Sequence, residues 1–237
     1  MTGLLQPRGA LEPFQTFILV APILLFSVVA HEYAHGYAAL LQGDPTAQSL
    51  GRLTWNPIKH IDPFLTILMP LVMFMTLGVA FGGAKPVPVD PRNYRNYRRG
   101  DIIVSLAGIV ANLALAVLLT VSIVAVHYVA RLVPALGSLV GFLQVMFIYG
   151  ITINLLLAVF NLMPIPPLDG SHVVKHLLPP AWARQYQRLA GVGFMLLIAL
   201  VVFGEGLLLA WLEPVFFLGG IAINLVAPFV IPSPWTS

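Results

Sequence analysis

The chain has 237 residues, 59% of them hydrophobic and only 9% charged, with no cysteine. A mean hydropathy of +0.91 excludes a water-soluble globular protein, and the absence of cysteine excludes disulfides and thiolate ligands, so a metal site must use His, Asp, Glu or Asn. The net charge of +3 suits juxtamembrane Lys and Arg, and no nucleic-acid partner is expected.

This length accommodates about five or six spanning segments of about twenty residues. The expectation is therefore an all-α polytopic membrane protein, a single integral domain over residues 1–237, multi-pass in the lipid bilayer. The first thirteen residues lack the basic start and small-residue cleavage site of a secretory signal, so the first apolar helix is expected to be retained.

That helix runs from about residue 15 to 41, and its C-terminal half carries His31-Glu32-Tyr33-Ala34-His35. Three ionisable side chains inside a membrane helix are costly and need partners or a purpose. His31 and His35 are four apart and share one face, so both imidazoles can reach one metal ion. H-E-x-x-H is the zincin pattern, in which two histidines hold zinc and Glu32 acts as general base.

Gly43-Asp44-Pro45 ends the helix, and the polar stretch 44–63 contains a candidate short strand at 50–55. Residues 64–81 read as an apolar helix interrupted by Pro70 and Gly78, followed by an extended segment at 82–89. The stretch 90–101 carries Arg92, Arg95, Arg98 and Arg99 and reads as a cytoplasmic loop. Spanning helices are expected over 102–129 and 137–163. Three prolines, Pro164, Pro166 and Pro167, then place Asp169 on irregular backbone. Residues 171–188 read as a basic amphipathic surface segment, and 189–203 and 207–230 as one or two further helices.

If the HExxH helix and the helix before Asp169 share a metal, they cross in the same direction. That requires an even number of crossings between 41 and 100, so 64–89 is expected to be re-entrant or to cross and return. Ten of the twelve Lys and Arg then lie inside, and the site faces the cytoplasm.

With these motifs in hand, the chain resembles the site-2 protease family of intramembrane zinc metalloproteases, in its compact form without PDZ or CBS domains. The likeness rests on HExxH, Gly108-Ile109-Val110-Ala111-Asn112, Asn161-Leu162-Met163-Pro164 and Leu168-Asp169-Gly170, in the family's order; Ile109 stands where the family often has proline. The resemblance implies that His31, His35 and Asp169 bind one Zn2+ per chain, that Glu32 activates a water, and that Asn112 and Asn161 lie by the site and hold substrate backbone or the ligands. It implies an endopeptidase acting in or near a transmembrane helix of a membrane-protein substrate. For the extended segment 84–89 two readings stand, an exposed strand edge on which an unwound substrate could pair and a buried lining strand with no substrate role, and its two prolines limit the donors it can offer. A prokaryotic cell membrane is the expected location. The rival reading is an ion or proton transporter with His31, Glu32, His35 and Asp169 as a relay. Of the other histidines, His60 reads as a plain interfacial residue, or else as a gating or metal-supporting one, His172 as hydrogen-bonded at the interface, or else as approaching the metal, and His127 and His176 as interface residues.

Overall fold

The computed structural model describes residues 13–69, 72, 75 and 83–232. Its described residues contain helices and no strand. Helix α1 spans Pro13–Gln42, the one-turn α2 Thr46–Ser49, α3 Tyr97–Leu132 and α4 Gly137–Asn161. The shorter helices are α5 Asp169–Leu177, α6 Pro180–Arg188, α7 Gly193–Phe203, α8 Glu205–Trp211 and α9 Glu213–Val226. Helices α1, α3 and α4 are long and apolar enough to cross a membrane, and two bent pairs, α6 with α7 and α8 with α9, raise the number to as many as five. Large apolar side chains such as Val117 and Val121 point outward from α3, as they do where the surrounding medium is lipid rather than water.

The described chain divides into two compact units. One comprises the described residues up to Ser27, Asn112–Leu157 and those from Pro214; the other comprises Val28–Ala111 and Ala158–Glu213. In the first, Ser27, Asn112 and Asn154 are completely buried and bonded together: Asn112 Nδ2 donates to Asn154 Oδ1 at 2.8 Å, and Asn154 Nδ2 to Ser27 Oγ at 2.8 Å. Ser27 in turn donates to Ile23 O. Inside a membrane such groups have only each other and the backbone, which makes this network a polar clasp between helices.

The second unit holds the HExxH segment. Ala38 and Ala39 of α1 pack with Tyr94 and Val104 in its core. Helix α1 ends in a Schellman motif, with Gly43 N bonded to Leu40 O and Asp44 N to Ala39 O. Gly43 has φ 109°, a left-handed conformation that glycine adopts without penalty. The turn delivers Asp44 into the interior, where its carboxylate accepts from Asp90 N at 2.7 Å, Asn93 Nδ2 at 2.8 Å and Thr46 N at 3.1 Å. These bonds outweigh burial and hold the Asp44 carboxyl below its ordinary value. Burial likewise pushes the Tyr94 phenol up.

Several expectations change. No strand forms at 50–55: Arg52 N and Leu53 N both fold back onto Ala47 O, satisfying the amides that a strand would have paired. Helix α3 begins at Tyr97 rather than 102, because the Asn96 side chain accepts from Arg99 N at 3.0 Å and caps the helix inside the arginine-rich stretch. The surface segment is two helices, α5 and α6, broken at Pro179 and Pro180. Residues 83–90 carry no regular structure, and the stretch 64–81 lies mostly outside the described residues after a π-helical turn at Pro63–Leu68.

Candidate metal centre

Helices α1, α3 and α5 of one unit meet at His31, His35 and Asp169. His31 Nε2 and His35 Nε2 each lie 3.2 Å from Asp169 Oδ2 and 2.9 Å from one another. The rings stand edge to face, 82° apart with centroids at 4.5 Å, so the HExxH spacing converges the two nitrogens instead of stacking the rings.

Helix α3 sets this geometry. The Nδ1 of His35 is 2.7 Å from Val104 O. A carbonyl only accepts, so Nδ1 carries the hydrogen and the neutral ring presents a lone pair at Nε2. One turn further on, Gly108 leaves the space the imidazoles fill: a Cβ there would lie 2.5 Å from His35 Nε2 and 2.6 Å from His31 Nε2. Asp169 comes from the first turn of α5, directly after the proline-rich turn.

These three atoms fit a metal ion. Asp169 Oδ2 is buried and has no hydrogen-bond partner, and one imidazole nitrogen facing it is a lone pair. A proton can bridge only one of the three close approaches, whereas a divalent cation satisfies all three at once. Tetrahedral zinc, bound at about 2.0–2.1 Å, separates its ligand atoms by roughly 3.3 Å, close to the spacings found. The group is the one described set of His and acidic side chains with converging ligand atoms.

Glu32 lies beside this face, and its Oε2 accepts the backbone N–H of Val87 at 2.7 Å. The segment carrying Val87 is pinned on both sides: Lys85 N donates to His60 O, Thr66 Oγ1 donates to Gly83 O, and Arg52 Nη2 donates to Lys85 O and Pro86 O, each at 3.2 Å. Of the two readings of 84–89, the open edge is thus excluded. Pro86 and Pro88 offer no donor, and the amides of Lys85 and Val87 are committed within the protein.

Of the other residues singled out, Asn161 is the half-buried last residue of α4, at the entry to the turn that leads to Asp169. Asn112 belongs to the other unit, in the network with Asn154 and Ser27. His60 is buried, its Nε2 bonded to Thr54 O at 2.9 Å. His172 pairs with Asp101. His127 is bonded to Phe229 O.

Sequence reasoning missed Asp101, the Val104 carbonyl and Asn154. Asp101 was readable as the lone acid among arginines at the start of an apolar helix, spaced three and seven residues before Val104 and Gly108. A backbone carbonyl carries no sequence signal at all.

Helices long and apolar enough to cross a membrane and a His-His-Asp cluster are the features expected of an intramembrane metalloprotease. Comparison places the chain in that class: the profile of Peptidase family M50 matches residues 19–140 and 125–204, and the chain belongs to that family, the site-2 proteases. It is 39% identical over 188 residues to YwhC of Bacillus subtilis, covering 79% of this chain and 82% of that one. It is 34% identical over 187 residues to Rip2 of Mycolicibacterium smegmatis, covering 78% and 67% respectively. Against Rip2 of Mycobacterium tuberculosis H37Rv it is 31% identical over 216 residues, 89% of this chain and 78% of the other. All three relatives carry zinc-metalloprotease names. No solved structure matches the chain. The protein is a membrane zinc metalloprotease.

Proposed function

We propose that this protein is an intramembrane endopeptidase that hydrolyses a peptide bond in or near a transmembrane helix of a membrane-protein substrate. One zinc per chain is held by His31, His35 and Asp169, and Glu32 is the general base. The observation that carries this reading is the convergence of the buried Asp169 Oδ2 with two imidazole nitrogens at 3.2 Å.

Zinc, when bound, supplies a Lewis acid that polarises the scissile carbonyl and acidifies the attacking water. Val104 O holds His35 in the tautomer whose Nε2 is free to ligate. Asp169 brings the negative charge that offsets the cation. Glu32 takes the proton from the attacking water as the carbon–oxygen bond forms, then delivers it to the amide nitrogen as the carbon–nitrogen bond breaks, so no acyl-enzyme arises. Carbonyls of a helical substrate are occupied within the helix, so the substrate must unwind locally before attack.

The active site faces the cytoplasm. In support, Gly108 lies about 16 Å along α3 from its first residue, the end that carries Arg98 and Arg99, and basic residues favour the inner face. Bacterial relatives support a prokaryotic cell membrane. Asn161 is the better placed of the two asparagines to steady substrate backbone near Asp169, whereas Asn112 acts within its clasp. Family membership leaves the relay reading without support.

The test is cleavage of a single-span reporter protein co-reconstituted with the enzyme in proteoliposomes. Cleavage within the span, lost on chelation and restored by zinc, is expected. Cleavage confined to soluble peptides would contradict the reading.

A further inference from the structure

Asp101 has no place in the chemistry above, yet it is a buried carboxylate with three side-chain partners. Its side chain is 4% exposed. Oδ2 accepts from Lys175 Nζ at 2.5 Å and His176 Nε2 at 2.7 Å, and Oδ1 lies 3.2 Å from His172 Nδ1. All three partners sit on α5, the nine-residue helix whose first residue is Asp169. Asp169, His172 and His176 follow the i, i+3, i+7 spacing and therefore occupy one face of it. On α3, Asp101, Val104 and Gly108 have the same spacing. One stripe of α3 thus anchors α5, orients His35 and makes room for both imidazoles.

We propose that Asp101 is a positioning residue for the metal centre: by gripping His172, Lys175 and His176 it fixes the helix that presents Asp169, and so sets metal affinity. This inference rests on the reading of His31, His35 and Asp169 as the metal ligands. Helix α5 is seated at its start, where Gly170 lies against Leu162 O and Ser171 is buried, and its C-terminal half is held by the Asp101 cluster. It is too short to be stable alone, and it lies between the proline-rich turn at 164–167 and Pro179-Pro180. Further contacts hold the C-terminal half: Arg98 Nη2 donates to His176 O at 2.9 Å, the Tyr97 and His176 rings meet edge to face at 5.4 Å, and Lys175 Nζ lies 5.4 Å from the Tyr97 ring centroid. Asp169 shares one face of α5 with His172 and His176, so loosening the grip on that face lets the helix turn about its axis and moves the Asp169 carboxylate relative to the two imidazoles. A carboxylate buried among several hydrogen-bonding partners is also costly to disturb, because removing it leaves all of them unpaired.

The experiment measures zinc dissociation constants by chelator competition on the detergent-purified full-length protein, with the melting temperature of the metal-free form and the electronic spectrum of the cobalt-loaded form recorded beside them. Asp101→Asn is expected to raise the zinc Kd about 10- to 100-fold and to change the cobalt spectrum toward a site with one weaker ligand. If Asp101→Asn does not fold, His176→Leu is compared with His176→Gln, which keeps an N–H donor: the leucine variant weakens zinc binding and the glutamine variant restores it. A folded Asp101→Asn protein with a lower melting temperature but wild-type zinc affinity and cobalt spectrum would overturn the proposal and leave the ligand assignment standing. A wild-type chain that takes up no zinc would overturn the ligand assignment, and this inference with it.

Discussion

The Nδ1 of His35 donates to the main-chain carbonyl of Val104 across 2.7 Å, and this one bond decides which nitrogen of the ring can bind a cation. It also ties the HExxH helix to α3, whose next turn contributes Gly108 and whose first turn contributes Asp101. The site is therefore a property of three helices, and its sensitivity to substitution can be worked out helix by helix.

Glu32→Gln removes the proton acceptor while leaving the three convergent ligand atoms in place. Proteolysis is expected to fall by about 10²- to 10⁴-fold with zinc content unchanged, measured by reporter cleavage and metal analysis of the same preparation. Loss of zinc together with activity would mean that Glu32 supports the site instead of acting in the reaction.

Gly108→Ala should do the reverse. In an exposed helix this exchange stabilises by about 1 kcal/mol, but here the new Cβ would lie 2.5–2.6 Å from both imidazole nitrogens. Zinc affinity is expected to drop at least about tenfold, read by chelator competition, with the helical content intact by circular dichroism.

Arg52 reaches two carbonyls of the segment that carries the Val87 amide to Glu32. Arg52→Met frees that segment, so kcat/KM is expected to fall about tenfold, the equivalent of about 1.4 kcal/mol, at full zinc occupancy. Unchanged cleavage would show that the segment is fixed by its other bonds.

Asp44 governs acid stability. Its folded-state pKa is depressed by the amides of Asp90, Asn93 and Thr46, which outweigh its burial. The stabilisation is therefore present above the ordinary carboxylate value near 3.9 and is lost as pH falls through the lower folded-state value. Thermal melts should show stability dropping below about pH 4, with Asp44→Asn flattening that drop and costing about 1.5–3 kcal/mol at neutral pH.

The helical class and the convergence of His31 with His35 were legible because both follow from periodicity: apolar runs long enough to span and a four-residue spacing that returns to one face. Asp169 was legible only through its setting, a carboxylate after three prolines at the end of an apolar run. What the sequence hid was backbone and pairing. Val104 acts through a carbonyl that any residue would supply, and Val87 through an amide whose partner, Glu32, lies 55 residues earlier in the chain. Asp101 was taken for part of a loop because arginines surround it, and only the fold shows that its partners lie more than seventy residues further along. Asn154 carries no motif of its own, and its partners Ser27 and Asn112 lie far from it in sequence.

The proposed zinc site joins two motifs 134 residues apart in the chain, from His35 to Asp169. The most direct test is zinc per polypeptide in the purified protein, wild type beside Asp169→Ala. One zinc per chain in the wild type and a clear deficit in the variant is the predicted result. Equal zinc in both would contradict it by removing Asp169 from the ligand set.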